Sequence, residues 1–394
     1  MSDYKQTAIG LIPKEWEVVK LGDVSLDGIL NGIFNNPKKV GKGIKLINVV
    51  NLYNEPYINC SELKLLEVSK KEYDKFSALK GDLFFTRSSL KADGIAHCNL
   101  LTEEDKIVFE CHIMRVRPKN NIANSYYLFR YCQSFYARKY LISASKTTTM
   151  TTIDQNGLYN LPIPLPPLKE QEKIAEILST WDKAISNLDE LIAQKQNLKT
   201  ALMQNLLSAK IRFKEFSDEW QEVKLGDICE IKKGEQLNKL KLNKYDLYAV
   251  INGGISPSGY TDKFNTEANT ITISEGGNSC GYVNLIKDKF WSGGHCYTLH
   301  KINTNFIFLY QYLKHFEISI MNLRVGSGLP NIQKTSIESF RINISSLPEQ
   351  QKITEVLSTC DDEINLLKDK LSNLKLQKQG LMQKLLTGKV RVKI

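Results

Sequence analysis

From residue 168 onward the apolar positions keep a regular spacing. Ile174, Leu178, Trp181, Ile185, Leu188 and Ile192 are separated by alternating steps of four and three. The same alternation returns at Ile353, Leu357, Cys360, Ile364, Leu367, Leu371 and Leu374. Steps of four and three sustained over about three heptads form the seam of a coiled coil. No Gly or Pro interrupts Leu168 to Ser208, which predicts one continuous helix, and Pro162, Pro164, Pro166 and Pro167 form an extended lead-in to it. Leu198, Leu202 and Leu206 carry the stripe on after a register change near Lys195, and Gly388 reads as the stop of the second helix. The spacing predicts two helices that pack on one another. At roughly 1.5 Å per residue, about 41 residues make a bar of ~61 Å. No short loop joins the two, so a globular domain lies between them, which suits an antiparallel pair.

The two helices are copies. Glu170-Gln171 through Asp182 recurs from Glu349 to Asp361 at a shift of 179, and residues 170–212 hold 19 identities in 43 ungapped positions. Leu202-Met203-Gln204, Leu206-Leu207 and Lys210-Ile211-Arg212 find their partners at Leu381, Leu385 and Lys389 onward. Ile153, Leu158 and Ile163 fall on Ile332, Ile337 and Ile342. A second repeat opens each half: Glu15-Trp16 and Val19-Lys20-Leu21-Gly22-Asp23 return as Glu219-Trp220 and Val223-Lys224-Leu225-Gly226-Asp227, at a shift of 204. The halves share their ends and differ in their middles, as one scaffold presenting two different readers would.

Between the repeats, residues 14–160 and 218–345 lack the helical beat. Lys80–Arg87 and Thr270–Glu275 read as strands running into polar loops, Ile107–Val116 and Tyr297–Lys301 as further strands. Short helices are predicted at Ser125–Ser134 and Phe306–His315, followed by polar stretches at Ser145–Thr149 and Val325–Gly328. The fold class is α+β: two mixed domains separated by two long helices in an antiparallel coiled coil. The 394 residues, 42% hydrophobic and 24% charged, can bury such cores and are not disordered. Eight scattered cysteines without a C-x-x-C pair argue against a disulfide framework or structural zinc and place the chain in a reducing cytoplasm. No apolar run is long enough to span a membrane, and Met1–Glu17 lacks a secretory pattern. The net charge of +10 points to a polyanion, unevenly: residues 1–167 carry +5 and residues 213–346 only +1.

Catalytic patterns are missing. No phosphate loop occurs, Gly326-Ser327-Gly328 is too short for a nucleotide site, and Pro166-Pro167-Leu168 lacks the neighbours of an amino-methyltransferase motif. Cys111-His112 and His295-Cys296 are neighbours on predicted strands, so their side chains point to opposite faces. Glu170 and Glu172 do not share a helix face. Polar loops suit nucleic acid better. Lys38, Lys39 and Lys42 lie in an Asn- and Gly-rich loop where cations reach phosphates. Arg87-Ser88 leaves a strand with a donor fork matching a guanine edge, with Lys91, Lys146 and Thr148 as further candidates. The second half offers Lys232, Lys233, Gln236, Asn252, Glu275, Asn278 and Arg324.

The leader Leu161–Leu168, the Glu170-Gln171…Ile174 start, the closing Leu202-Met203-Gln204…Lys210 and the Trp16…Leu21-Gly22-Asp23 motif, with their second copies, resemble the repeated regions of type I restriction-modification specificity subunits. The second leader departs from the pattern, with Ser345-Ser346-Leu347-Pro348 in place of the double proline. The resemblance implies two target recognition domains, residues 1–166 and 213–346, and two spacer helices, residues 167–212 and 347–394. Each domain would read one half of a split, asymmetric site in double-stranded DNA. The helices would dock two methylation subunits, with restriction subunits added. S-adenosylmethionine, ATP and Mg would belong to those partners, leaving this chain without catalytic residue, metal or cofactor. A coiled-coil adaptor that binds only protein is the alternative.

Overall fold

The computed structural model describes residues 3–238, 240, 242–243, 246–326, 328 and 330–394. Two long helices run through it, a central one, Leu168–Leu206, and a later one, Leu347–Leu386. The chain divides into two compact units, residues 1–190 with 369–394 and residues 191–368. Each helix gives its first turns to the unit whose interior precedes it and its last turns to the other.

Within each unit the two helical segments run antiparallel. In the first, Asp182 pairs with Lys378, and Asp189 lies 3.5 Å from Lys375. In the second, Lys195 meets Glu363 at 2.7 Å and Lys199 meets Asp361 at 2.6 Å. The predicted seam begins as a docking face. Ile174 and Leu178 are buried with Leu385 and Leu386 in the core of the first unit, Ile353 and Leu357 with Leu206 and Leu207 in that of the second. Leu188 and Ile364 are buried, while Trp181, Ile185, Cys360 and Leu367 are half-buried.

The repeated motifs at the ends of each interior pair with one another. Glu17–Lys20 lies antiparallel to Pro162–Leu165 with Val19 opposite Ile163, and Gln221–Lys224 lies antiparallel to Arg341–Ile344 with Val223 opposite Ile342. Prolines are tolerated in the first leader because a two-stranded ribbon consists of edges. Gly22 turns the chain where a Cβ would overlap the Tyr159 ring at 1.8 Å, and Asp23 accepts from the Lys20 amide and the Tyr159 hydroxyl.

One ionic clasp then ties each ribbon to both helices. Trp16 Nε1 donates to Glu170 at 3.0 Å, and the Arg391 guanidinium donates to both Glu170 oxygens at 2.7 and 2.9 Å. Trp220, Glu349 and Arg212 repeat this, with the arginine bonds at 2.9 and 2.8 Å. The next residue is also reused. Gln171 accepts from the Asn124 amide and donates to the Ile122 and Pro166 carbonyls; Gln350 accepts from the Asn305 amide and donates to the Ser345 carbonyl. Asn124 and Asn305 in turn cap the helices Ser125–Cys132 and Phe306–His315 through their side chains.

Each interior holds a four-stranded sheet of the same order. In the first unit it runs Cys98–Leu100, Leu83–Thr86, Ile113–Pro118, Ser25–Asn31; in the second, Val283–Ile286, Thr270–Ser274, Cys296–His300, Glu230–Lys233. A second sheet adjoins it and holds a parallel pair: Val40–Ile47 beside Ile107–Phe109 at the centre of four strands, and Tyr248–Ile251 beside Phe290–Ser292 in a sheet of three. Three local expectations are corrected. Ile107–Val116 is not one strand, because the chain leaves one sheet at Phe109 and joins the other at Ile113, which puts Cys111-His112 in a turn. Lys146-Thr147 is a strand paired with Thr151-Thr152, not a free loop. A helix at Phe135–Ser143, capped by Ser134, follows the predicted one.

Candidate nucleic-acid interface

The polar candidates separate into groups once folded. In the first unit, Leu83–Thr86 is fully buried, and Arg87 emerges from its end exposed. The Arg87 amide donates to the His112 carbonyl at 2.9 Å and its carbonyl accepts from the Ile153 amide at 3.1 Å, so the backbone is held from both sides. The guanidinium makes no bond to the described residues. Ser88-Ser89 pairs with Thr151-Thr152, which pairs with Lys146-Thr147, and Thr148 sits at the tip of that hairpin. Arg87, Ser88, Lys146 and Thr148 thus share one small sheet and its approach. Lys91 follows in an exposed turn that the Ser89 hydroxyl holds at its amide.

Lys38, Lys39 and Lys42 fold differently from the flexible loop expected of them. Pro37–Lys39 is a helical turn capped by Asn36, and Lys42 lies within the strand Val40–Ile47. Lys42 pairs with Glu67 at 3.1 Å, and the Lys39 carbonyl accepts from the Glu67 amide. The turn is exposed, but a carboxylate already attends Lys42.

In the second unit the corresponding strand, Thr270–Ser274, ends at Glu275, around which a polar cluster closes. Lys233 and the Tyr297 hydroxyl bond one carboxylate oxygen, and His295 Nδ1 lies 3.0 Å from the other. Burial opposes ionisation of Glu275, but the bonds from Lys233 and His295 prevail and hold its carboxyl below the usual range. Asn252 accepts from the His295 amide at 3.0 Å, and Gln236 packs over Gly294. Asn278 is exposed in the turn after Gly276, and Arg324 precedes Val325, whose bridge partner Asn331 also bridges Gly276. Lys233, Gln236, Asn252, Asn278 and Arg324 therefore gather at one end of this sheet. Lys232 does not: adjacent strand residues face opposite ways, and it pairs with Glu230 at 3.6 Å. Ser327 of the Gly-Ser-Gly stretch lies outside the described residues.

Chemistry beyond binding is not assembled among the described residues. No three His, Cys, Asp or Glu side chains converge as metal ligands. Burial raises the thiols of Cys60 and Cys296 to about 11 and that of Cys229 to about 12, far from a reactive thiolate. Glu170 is enclosed by its tryptophan and arginine. A cavity of about 530 Å³ opens in the first unit, walled by Arg130, Arg138, Lys375 and Lys378 and by Glu55, Asp182 and Asp189. Its cations and carboxylates are largely paired with each other.

Two copies of one frame, differing at the same polar end, are the pattern that the family comparison explains. The family model described as "Type I restriction modification DNA specificity domain" matches residues 13–196 and again 217–376. This chain belongs to that family. Each match covers one interior together with much of its long helix. The type I restriction enzyme MjaVIII specificity subunit of Methanocaldococcus jannaschii is 23% identical over 97% of this chain and 94% of its own. A chain of the same organism assigned as the MjaX specificity subunit is 28% identical over 99% and 97%. The fold matches the crystal structure of the S subunit of a type I restriction-modification system from M. genitalium, with a TM-score of 0.62, 18% identity and 96% coverage of both chains.

Within this type I specificity fold, two groups escaped the reading of the sequence. The clasp of Trp16, Glu170 and Arg391 was visible only as repeated letters, though repetition of a Trp, a Glu and an Arg at matched places was a usable signal. In the sequence His112 and His295 fall on predicted strands; only the folded turns reveal them as exposed tips at equivalent places.

Proposed function

We propose that this chain is the DNA-reading specificity subunit of a type I restriction-modification assembly, in which each unit recognises one half of a bipartite, asymmetric duplex site. The observation that carries this reading is the repetition of one clasped scaffold with unlike polar ends: Arg87 with Ser88, Lys146 and Thr148 in one unit, Lys233 with Gln236, Asn252 and His295 in the other. Unlike surfaces on like frames suit two different half-sites, where identical surfaces would suit a palindrome. Exposed Arg, Lys, Asn and Gln at strand ends supply the donors and acceptors that base edges and phosphates need.

The chain acts without an active site of its own. Its long helices dock two methylation subunits, and restriction subunits join them; S-adenosylmethionine, ATP and Mg bind to those partners. Selection from a random duplex library by the full chain in complex with its methylation partners tests the reading. Enrichment of a two-part sequence, with affinity that falls steeply as salt rises, is expected. A pool without a bipartite sequence, or binding indifferent to salt, would overturn it. Methyl transfer by the chain alone would overturn the non-catalytic assignment.

A further inference from the structure

Residues 87 and 275 are not aligned by either sequence repeat, yet four backbone hydrogen bonds give them the same place. The Arg87 amide donates to the His112 carbonyl and the Glu275 amide to the His295 carbonyl, each at 2.9 Å. The Arg87 carbonyl accepts from Ile153 and the Glu275 carbonyl from Ile332, themselves matched by the repeat. One residue earlier, the Thr86 amide donates to His97 and the Thr86 carbonyl accepts from Ala96; Ser274 does the same with Tyr282 and Gly281. Even the unusual backbone agrees, with φ of 49° at Ala96 and 86° at Gly281. Both strands are buried and central in their sheets, so the slot that follows each is rigid and faces the same way relative to its own frame.

We propose that this slot sets the specificity of each half-site, and that its charge decides which side chains reach the bases. Building on the DNA-reader assignment above, Arg87 itself reads a guanine in the half-site of the first unit. Its planar fork is exposed and unpaired among the described residues, the form that bonds guanine O6 and N7 together. In the second unit Glu275 is a positioning residue. With its side chain only 13% exposed and both oxygens engaged, it presents Lys233 and His295. Those two are 51% and 62% exposed and face DNA, Lys233 as a donor and His295, whose Nδ1 proton the carboxylate holds, with Nε2 as an acceptor. The same slot thus offers a direct arginine in one unit and an anchored Lys-His pair in the other, and the half-sites differ there.

The test is selection of a random duplex library by the full chain in its methylation complex, for wild type, R87A, R87K, E275Q and E275D. R87A is expected to lose preference for one guanine, with discrimination there falling about 10- to 100-fold, and to leave the other half-site and the melting temperature unchanged. R87K keeps the charge and most of the affinity but not the base preference, because an ammonium lacks the fork. E275Q is expected to blur only the other half-site, and E275D, which keeps the charge, to restore part of it; a space-filling role would give the reverse ranking. Unchanged selection by R87A, wild-type selection by R87K, or R87A and E275Q altering the same half-site would each overturn the slot. A wild-type pool with no bipartite sequence would instead sink the reader assignment on which the slot rests.

Discussion

Ala209 and Gly388 hold matched places in the repeat, and both take a left-handed backbone just after a long helix, with φ of 56° and 68°. Glycine adopts that conformation freely, whereas an L side chain pays roughly 1–2 kcal/mol. Ala209→Gly should therefore stabilise the second unit by about 0.5–1 kcal/mol after the added freedom of the unfolded chain is set against it. Gly388→Ala should cost ~2 kcal/mol or more, because its Cβ would also lie 2.4 Å from Pro13 Cδ. Urea unfolding of each variant checks both signs. Glu275 makes a pH prediction at the same scale. Its folded value lies below the ordinary 4.5, so its contribution is present above that pH and is lost as pH falls through the depressed folded value. The melting-temperature gap between wild type and E275Q should accordingly be full at pH 6 and shrink toward pH 3.

Among the elements, the clasp explains why the chain repeats its ends. A two-stranded ribbon is marginal alone, and here a buried Glu at one helix start ties it to an Arg beyond the other helix's end. Arg391→Ala would leave Glu170, fully enclosed, with only an indole donor. A loss of about 3 kcal/mol from the first unit is expected by denaturant titration. The polar layer beneath shows how one frame tolerates different charges. Asp361 bonds Lys199 and the Gln311 amide, whereas Asp182 meets Lys378, the Tyr126 hydroxyl and, in place of the glutamine, Arg130. Burial raises the Asp182 carboxyl and lowers the Lys378 ammonium, so each relies on the other to stay charged. Asp182→Asn would leave the buried Arg130 and the half-buried Lys378 as two cations facing one another and should destabilise its unit more than Asp361→Asn does the other. Parallel melts of the two variants decide this.

For the whole molecule, the charge asymmetry predicts that the first unit is the stronger phosphate contact. Neutralising its exposed lysines should flatten the salt dependence of DNA binding more than neutralising those of the second. One heptad inserted at matched points of both helices, beyond Glu190 and beyond Lys368, should change the gap tolerated between half-sites. Methylation of substrates with varied gaps measures it, and an unchanged gap would count against a spacer role. The long helices, the duplication and the family were legible in the sequence because their signals are local or repeated: a four-three beat, a proline leader, matched letters at a fixed shift. Arg87 at a strand end was legible for the same reason. Lys232, Lys42 and the Cys111-His112 turn were not, since strand parity, a carboxylate from a distant segment and a switch between sheets are properties of pairing. The sequence by itself determined that one α+β unit occurs twice with long helices and unlike interiors. Only the tertiary structure decided that a fragment of each helix completes the other unit, and that Arg87 and Glu275 occupy one slot. Neither residue shares neighbouring letters with the other; the equivalence is written in backbone hydrogen bonds, which no side-chain pattern reports.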